Sequence, residues 1–197
     1  MIDIETLSTK NNEVMIDIET LSTKNNALIL TIGAIKFNRN EDIDCVLHKT
    51  DNFYRRVDIK SCKKLNMDID NNTVKWWNNQ SKDARYEAIE NKDRQEIKEV
   101  LIELAEFIKD CKYTWANSPN FDCVILENAY RCCNLEIPWK YWNLRDCRTI
   151  YDLGNISLKS VVKEIKHNSL EDCHNQIVCP NKAYKKIFNK YKLKLFE

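Results

Sequence analysis

The chain reads as an α/β domain with a mixed central β-sheet flanked by helices. Three observations predict this. Two β-branched apolar runs, Val14–Glu19 and Ala27–Phe37, come first and lie close together. Segments with helical periodicity then alternate with short strand-like runs. The 197 residues show no Pro-, Gly- or Ser-rich linker, which suits a single domain with a real core.

The elements follow in order. Val14-Met15-Ile16-Asp17-Ile18-Glu19 alternates apolar and polar residues over its second half, as a strand does. Side chains two apart share a face, so Asp17 and Glu19 project together while Val14, Ile16 and Ile18 point the other way. Two carboxylates on one face repel unless a cation lies between them, and an oxygen-rich site suits Mg²⁺ or Mn²⁺. An exposed strand face that happens to carry two acids would look the same. Ala27–Phe37 is the second strand and Asn52–Asp58 the third. Thr73 to Trp77 opens a helical region ending near Ala88. Ile97, Val100, Leu101, Leu104, Phe107 and Ile108 form a helical core stripe.

Tyr113–Ala116 is a short strand, and Asn117-Ser118-Pro119 is turn chemistry. Phe121–Cys133 reads as a helix with Val124, Ile125, Leu126, Ala129 and Tyr130 on its apolar side. Asp122 lies in its first turn, where the helix dipole favours an acid. Asp146 caps a further helix that ends at Gly154. Lys159–Ile165 is a short helix. Asn168-Ser169-Leu170-Glu171 is a capping box, so a helix starts at Asn168 or Ser169 with Asp172 in its first or second turn. His167 lies just before it on the loop. Pro180 should kink or break that last helix. The lysines from Lys182 to Lys194 form a solvated face.

Residues 1–12 recur identically as residues 15–26, with only Glu13-Val14 between the copies. Solenoid repeats run at longer periods and diverge. The second copy runs straight into the Ala27–Phe37 strand. Asp17 and Glu19 are therefore expected to be the functional pair, and not Asp3 and Glu5. Residues 1–12 are read as a non-catalytic N-terminal extension, and 13–197 as one domain.

Three short patterns carry chemistry: Asp17-Ile18-Glu19-Thr20, Asn117-Ser118-Pro119-Asn120-Phe121-Asp122, and His167-Asn168-Ser169-Leu170-Glu171-Asp172. In this order they resemble the DEDDh family of 3′→5′ exonucleases. The pair Trp76-Trp77 with Gln80 to Arg85, and Arg145-Asp146-Cys147-Arg148-Thr149, resemble its compact phage and bacterial exoribonuclease-like branch. The resemblance implies an RNase H-like fold and hydrolysis of the last phosphodiester of a single strand with a free 3′ end, giving 5′-mononucleotides.

It also implies two Mg²⁺ or Mn²⁺ ions about 3.5–4 Å apart. Asp17 would bridge them, with Glu19 and Asp172 on one and Asp122 on the other. His167 would be the general base, since its ordinary pKa lies near neutrality. Thr20, Leu21, Asn117 and Phe121 match positions that shape the substrate site. Trp77 is the candidate for stacking on a base. RNA is preferred to DNA on the branch resemblance alone. The alternative is a non-catalytic nucleic-acid-binding or interaction module on the same fold.

Composition bounds the partners. The net charge of +1 excludes a strongly basic surface, so nucleic acid must be gripped by local patches and metals. Nine cysteines, without a CxxC pair or zinc-like spacing, read as reduced thiols of a cytoplasmic protein. No run reaches membrane-spanning length. Abundant Asn, Lys and Ile with scarce Gly suggest an AT-rich genome, such as that of a phage, virus or low-GC bacterium. Exposed aromatics leave a homodimer open.

Overall fold

A computed structural model describes residues 13–39, 51–157 and 167–194. The duplicated residues 1–12 and the expected Lys159–Ile165 helix lie outside the described residues. Strand β1 (Glu13–Thr20) is central, flanked by antiparallel β2 (Ile29–Phe37) and parallel β4 (Tyr113–Ala116). Antiparallel β3 (Asn52–Arg56) and parallel β5 (Leu144–Asp146) complete a five-stranded sheet among the described residues, ordered β3-β2-β1-β4-β5. With helices on both faces, this is a mixed sheet of the RNase H-like kind, as the element order predicts.

The helices are α1 (Ile59–Lys64), α2 (Asn71–Asn78), α3 (Lys82–Arg85), α4 (Ile97–Ile108), α5 (Asp122–Cys132), α6 (Cys147–Gly154) and α7 (Ser169–Lys194). A wide π-helical turn, Tyr86–Glu90, follows α3. The region expected to be helical up to Ala88 is thus three pieces. Ser81 starts a new helix by capping Ala84, and Asp70 caps α2 through Thr73.

The alternation in β1 sorts the two faces. Val14, Ile16 and Ile18 enter the larger core with Ile97, Val100, Leu101 and Leu104 of α4 and Ile125, Leu126 and Ala129 of α5. Met15 enters a smaller core with Ile35, Trp115, Tyr151, Cys173 and Ile177, under α6 and α7. Asp17 and Glu19 continue the Met15 face. Across the ladder Met15 faces Ile35, Asp17 faces Gly33, and Glu19 faces Thr31. The apolar patch therefore gives way to a polar one where the sheet meets the start of α7.

Gly33 sets how close α7 comes. A Cβ there would lie 2.4 Å from the Ser169 carbonyl carbon and 2.6 Å from the Leu170 nitrogen. The absent side chain admits the first turn of α7 directly over the sheet beside Asp17. Thr31 Oγ1 and Ser169 Oγ, 3.0 Å apart, share a hydrogen bond in the same contact. The Asn168 side chain accepts from the backbone N–H groups of Leu170 and Glu171, the N-terminal cap that the sequence predicts.

Of the kink or break expected at Pro180, the break does not occur, since α7 runs through it. Proline removes the donor that the Gln176 carbonyl would otherwise meet, and the Tyr151 hydroxyl of α6 donates to that carbonyl at 3.2 Å instead. Gly154 is the last residue of α6, but the left-handed residue that terminates it is Asn155, at φ 49°. Gly154 serves close packing, because a Cβ there would lie 2.5 Å from that of Ala183. Asp146 caps α6 through Thr149, as expected. Cys62, Cys111, Cys123, Cys132, Cys133, Cys147 and Cys173 are free thiols.

Gly33→Ala should cost about 1–3 kcal/mol in urea unfolding, the scale of an overpacked core position. It should also displace Asp172 from the sheet. An alanine variant of unchanged stability would mean that α7 can retreat freely.

Candidate active site

The carboxyl ends of the parallel strands β1, β4 and β5 lie at one edge of the sheet, the place where open α/β sheets bind ligands. A cleft of about 460 Å³ opens there. Asp17, Glu19, Asn117, Phe121, Asp122, His167, Asp172 and Gln176 are among its lining residues. The five acid and imidazole side chains singled out from three distant stretches of sequence are thus brought together. One ligand atom each of Glu19, His167 and Asp172 lies within 4.8 Å of the others.

Each group has a local reason for its place. Asp17 and Glu19 ride on the central strand. Asp122 is delivered by a tight turn, in which the Phe121 and Asp122 N–H groups both donate to the Ser118 carbonyl, at 2.8 and 3.0 Å. Asp172 lies in the first turn of α7, its N–H bonded to the Asn168 carbonyl at 2.8 Å. His167 adopts left-handed backbone geometry, φ 49°, a conformation in which His is several-fold enriched among non-glycine residues. Its imidazole lies beside Glu19 and Asp172 in the cleft. The Trp76 ring meets it edge-on, with centroids 4.8 Å apart.

Burial pushes the Asp17 carboxyl well above its usual range, and the charges of Asp122, Glu19 and Asp172 push it further. Gln176 opposes this by donating its amide N–H to Asp17 Oδ1 at 2.7 Å. Burial, then Asp172 and Asp122, raise Glu19 to about 8. Burial raises Asp122 to about 7 against the pull of nearby backbone groups and of Arg148. Burial raises Asp172 to about 6, with Asn175 hydrogen bonding in opposition. Burial lowers His167 below its ordinary value, so the imidazole is neutral at neutral pH.

The donor set fits a divalent cation. Among the described residues none of the four carboxylates makes a salt bridge. Among the described residues, hydrogen bonds to Asp17, Asp122 and Asp172 and the charge of Arg148 near Asp122 oppose the cost of holding them together. Hard oxygen ligands in this number suit Mg²⁺ or Mn²⁺. Among the described residues the buried Asn117 Oδ1 and Gln176 Oε1 have no hydrogen-bond partner, and both residues line the same cleft.

The substrate-side candidates divide. Asn117 and Phe121 line the cleft. Thr20 lines a second recess of about 560 Å³, which shares Ile18, Glu19 and Phe121 with the first. Leu21 is packed into the larger core. Trp77 is 1% exposed and donates its indole N–H to the Thr20 carbonyl at 2.9 Å. It anchors the recess wall, and the indole with an open surface is Trp76, 42% exposed. Sequence reasoning missed Gln176, Asn175 and Arg148 in the cleft. Gln176 had a usable signal, since it lies four residues after Asp172 and so shares its helix face.

Residues 12–183 match the profile of the 3′-5′ exoribonuclease Rv2179c-like domain. The chain belongs to that family. Among curated proteins no sequence matches the chain. The match spans every element from β1 to the middle of α7, and so includes all three motif stretches of this Rv2179c-like domain. Among the described residues no helix is long and apolar enough to cross a membrane.

A carboxyl with a raised folded pKa holds its proton more tightly in the folded than in the unfolded state. Metal-free stability should therefore fall as pH rises from about 4, the unfolded carboxylate value. The fall should run through the folded values of about 6, about 7 and about 8. Asp17→Asn removes one repelling charge, so it should raise the melting temperature of chelator-treated protein near the alkaline end of that window. The difference should shrink toward pH 4–5. A lower melting temperature at the alkaline end would show that the fold itself compensates the Asp17 charge.

Proposed function

We propose that the protein is a divalent-cation-dependent 3′→5′ exonuclease of the DEDDh type, acting on single-stranded nucleic acid and preferring RNA. Membership of the exoribonuclease-like family supports exonuclease chemistry. The observation that carries the finer reading is the meeting of Asp17, Glu19, Asp122, Asp172 and neutral His167 in one cleft.

Two Mg²⁺ or Mn²⁺ ions would supply electrophilic pull on the scissile phosphate and neutralise charge at the leaving oxygen. Asp17, on which the charges of the other three carboxylates all bear, would share in holding the ions. Glu19 and Asp172, grouped with His167, would hold one ion. Asp122 would help hold the other. His167 accepts the proton of the attacking water, and its lowered pKa keeps the lone pair free for this. The bond from phosphorus to the 3′ oxygen of the penultimate nucleotide breaks, releasing a 5′-mononucleotide. Trp76 offers the terminal base an aromatic edge, and Trp77 fixes the wall behind it.

A 5′-labelled single strand should give a descending ladder that depends on Mg²⁺ or Mn²⁺. RNA should be digested faster than matched DNA. Asp122→Ala should abolish the ladder with circular dichroism unchanged. His167→Ala should slow the chemical step by about 10²–10⁴-fold while cation binding survives. Immediate release of labelled mononucleotide, or full activity in folded Asp122→Ala, would defeat the reading.

We also infer that residues 1–12 are dispensable. The second copy forms β1 and reaches β2 through a short connection, and a cleft of this kind has room for one bridging aspartate. Asp3→Ala should therefore keep activity and Asp17→Ala lose it. The reverse result would assign the strand to the first copy.

A further inference from the structure

The nuclease reading gives every acid of the cleft a task, but names no side chain of the protein that meets the negative charge of the strand. Among the described residues lining the cleft, one side chain is permanently cationic: Arg148. Its position follows from topology. β5 pairs parallel to β4, with Ala116 beside Asp146. The residue after Ala116 begins the Asn117–Asp122 turn, and two residues after Asp146 comes Arg148. The third parallel strand thus delivers an arginine to the edge where the other two deliver carboxylates.

Arg148 is held at the cleft with two acids near it, Asp146 and Asp122. Its Nη2 donates to Ser118 Oγ at 2.5 Å, which fixes the guanidinium beside the Asp122 turn. The nearest carboxylate in ion-pair range is Asp146, 3.8 Å away, whose other oxygen already accepts from the Thr149 N–H. The side chain remains 58% exposed. A planar fork with five donors and one neutral anchor keeps donors free for an anion, and it matches phosphate geometry. The two recesses adjoin, with Ile18, Glu19 and Phe121 lining both; Trp76 lines one and Arg148 the other.

We propose that Arg148 is a substrate-binding residue, gripping a backbone phosphate of the strand in the carboxylate cleft that it lines. The proposal rests on the nuclease reading for the identity of the strand. Arg148 would draw the strand across a cleft whose own carboxylates repel it, and Ser118 would aim the guanidinium. A purely structural role, as support for Asp122, is the competing explanation.

The test uses a single-stranded oligomer with phosphorothioate linkages at its 3′ end, so that binding is read by fluorescence anisotropy without turnover. Wild type, Arg148→Ala and Arg148→Lys are compared with Mg²⁺ present over a range of salt. Unmodified oligomer gives KM and kcat, and thermal melts with and without Mn²⁺ report on the carboxylates. Arg148→Ala should weaken binding on the order of 10-fold, the scale of one lost charge-assisted contact. It should flatten the salt dependence by about 0.7 of a log unit per log unit, one phosphate's share on a single strand. The loss should fall on KM, the Mn²⁺-induced melting shift should stay as in wild type, and Arg148→Lys should recover part of the affinity.

Unchanged affinity and salt slope in Arg148→Ala would overturn the proposal, as would a loss accompanied by an altered Mn²⁺ shift. If wild type binds the oligomer but digests none, the nuclease reading falls while the Arg148 comparison still decides this one. If wild type digests and Arg148→Ala binds equally well, this proposal falls alone. If wild type binds no oligomer, both fall.

Discussion

The close approach of α7 to Gly33 is the constraint on which the site depends. Asp17 stands directly across the ladder from a residue without a side chain. Into that space comes the first turn of α7, and with it Asp172, Gln176 and the imidazole that precedes the helix. The outcome is electrostatically unfavourable. Four carboxylates crowd together without a salt bridge among the described residues; burial raises the proton affinity of all four, and the charges of their neighbours raise Asp17 and Glu19 further. A fold that tolerates such repulsion must hold it in place by packing, and candidate functional sites are where perturbed groups of this kind cluster.

The packing that holds it is specific. Beneath Asp17, Met15 joins Cys173 and Ile177 in an apolar layer. The Cys173 thiol donates to the carbonyls of Met15 and Gly33, at 3.6 and 3.4 Å. Tyr151 takes the carbonyl that Pro180 leaves without a donor, and Gly154 lets Ala183 come close. α6 and the sheet together fix the rotation of α7. That rotation aims Gln176 at Asp17 and leaves Asp172 beside Glu19.

Much of this was legible in the sequence where the information is local. The period of two in β1 placed Asp17 and Glu19 on one face. The capping pattern at Asn168 placed the start of α7 and left His167 outside it. The dependence of the site on Gly33 was not legible, because a close approach between residues distant in sequence leaves no local pattern. The same holds for Pro180, where a hydroxyl from another helix replaced the lost donor and a break became a continuous helix. Of the two adjacent tryptophans, the burial of Trp77 and the exposure of Trp76 followed from the rotation of α2. A helix of eight residues leaves that rotation poorly determined by pattern alone. Arg148 lies in a motif that the sequence offers, but its place in the cleft depends on β5 pairing in parallel with β4 and was not legible there.

The central claim is that these carboxylates form a cation cage and are not a set of protonated acids. Calorimetric titration of Mn²⁺ into chelator-stripped protein, near neutral pH, tests this most directly. The account predicts saturable binding with release of protons, because raised carboxyls must give theirs up to ligate. Heat that does not saturate, or binding without proton release across buffers of different ionisation enthalpy, would contradict it.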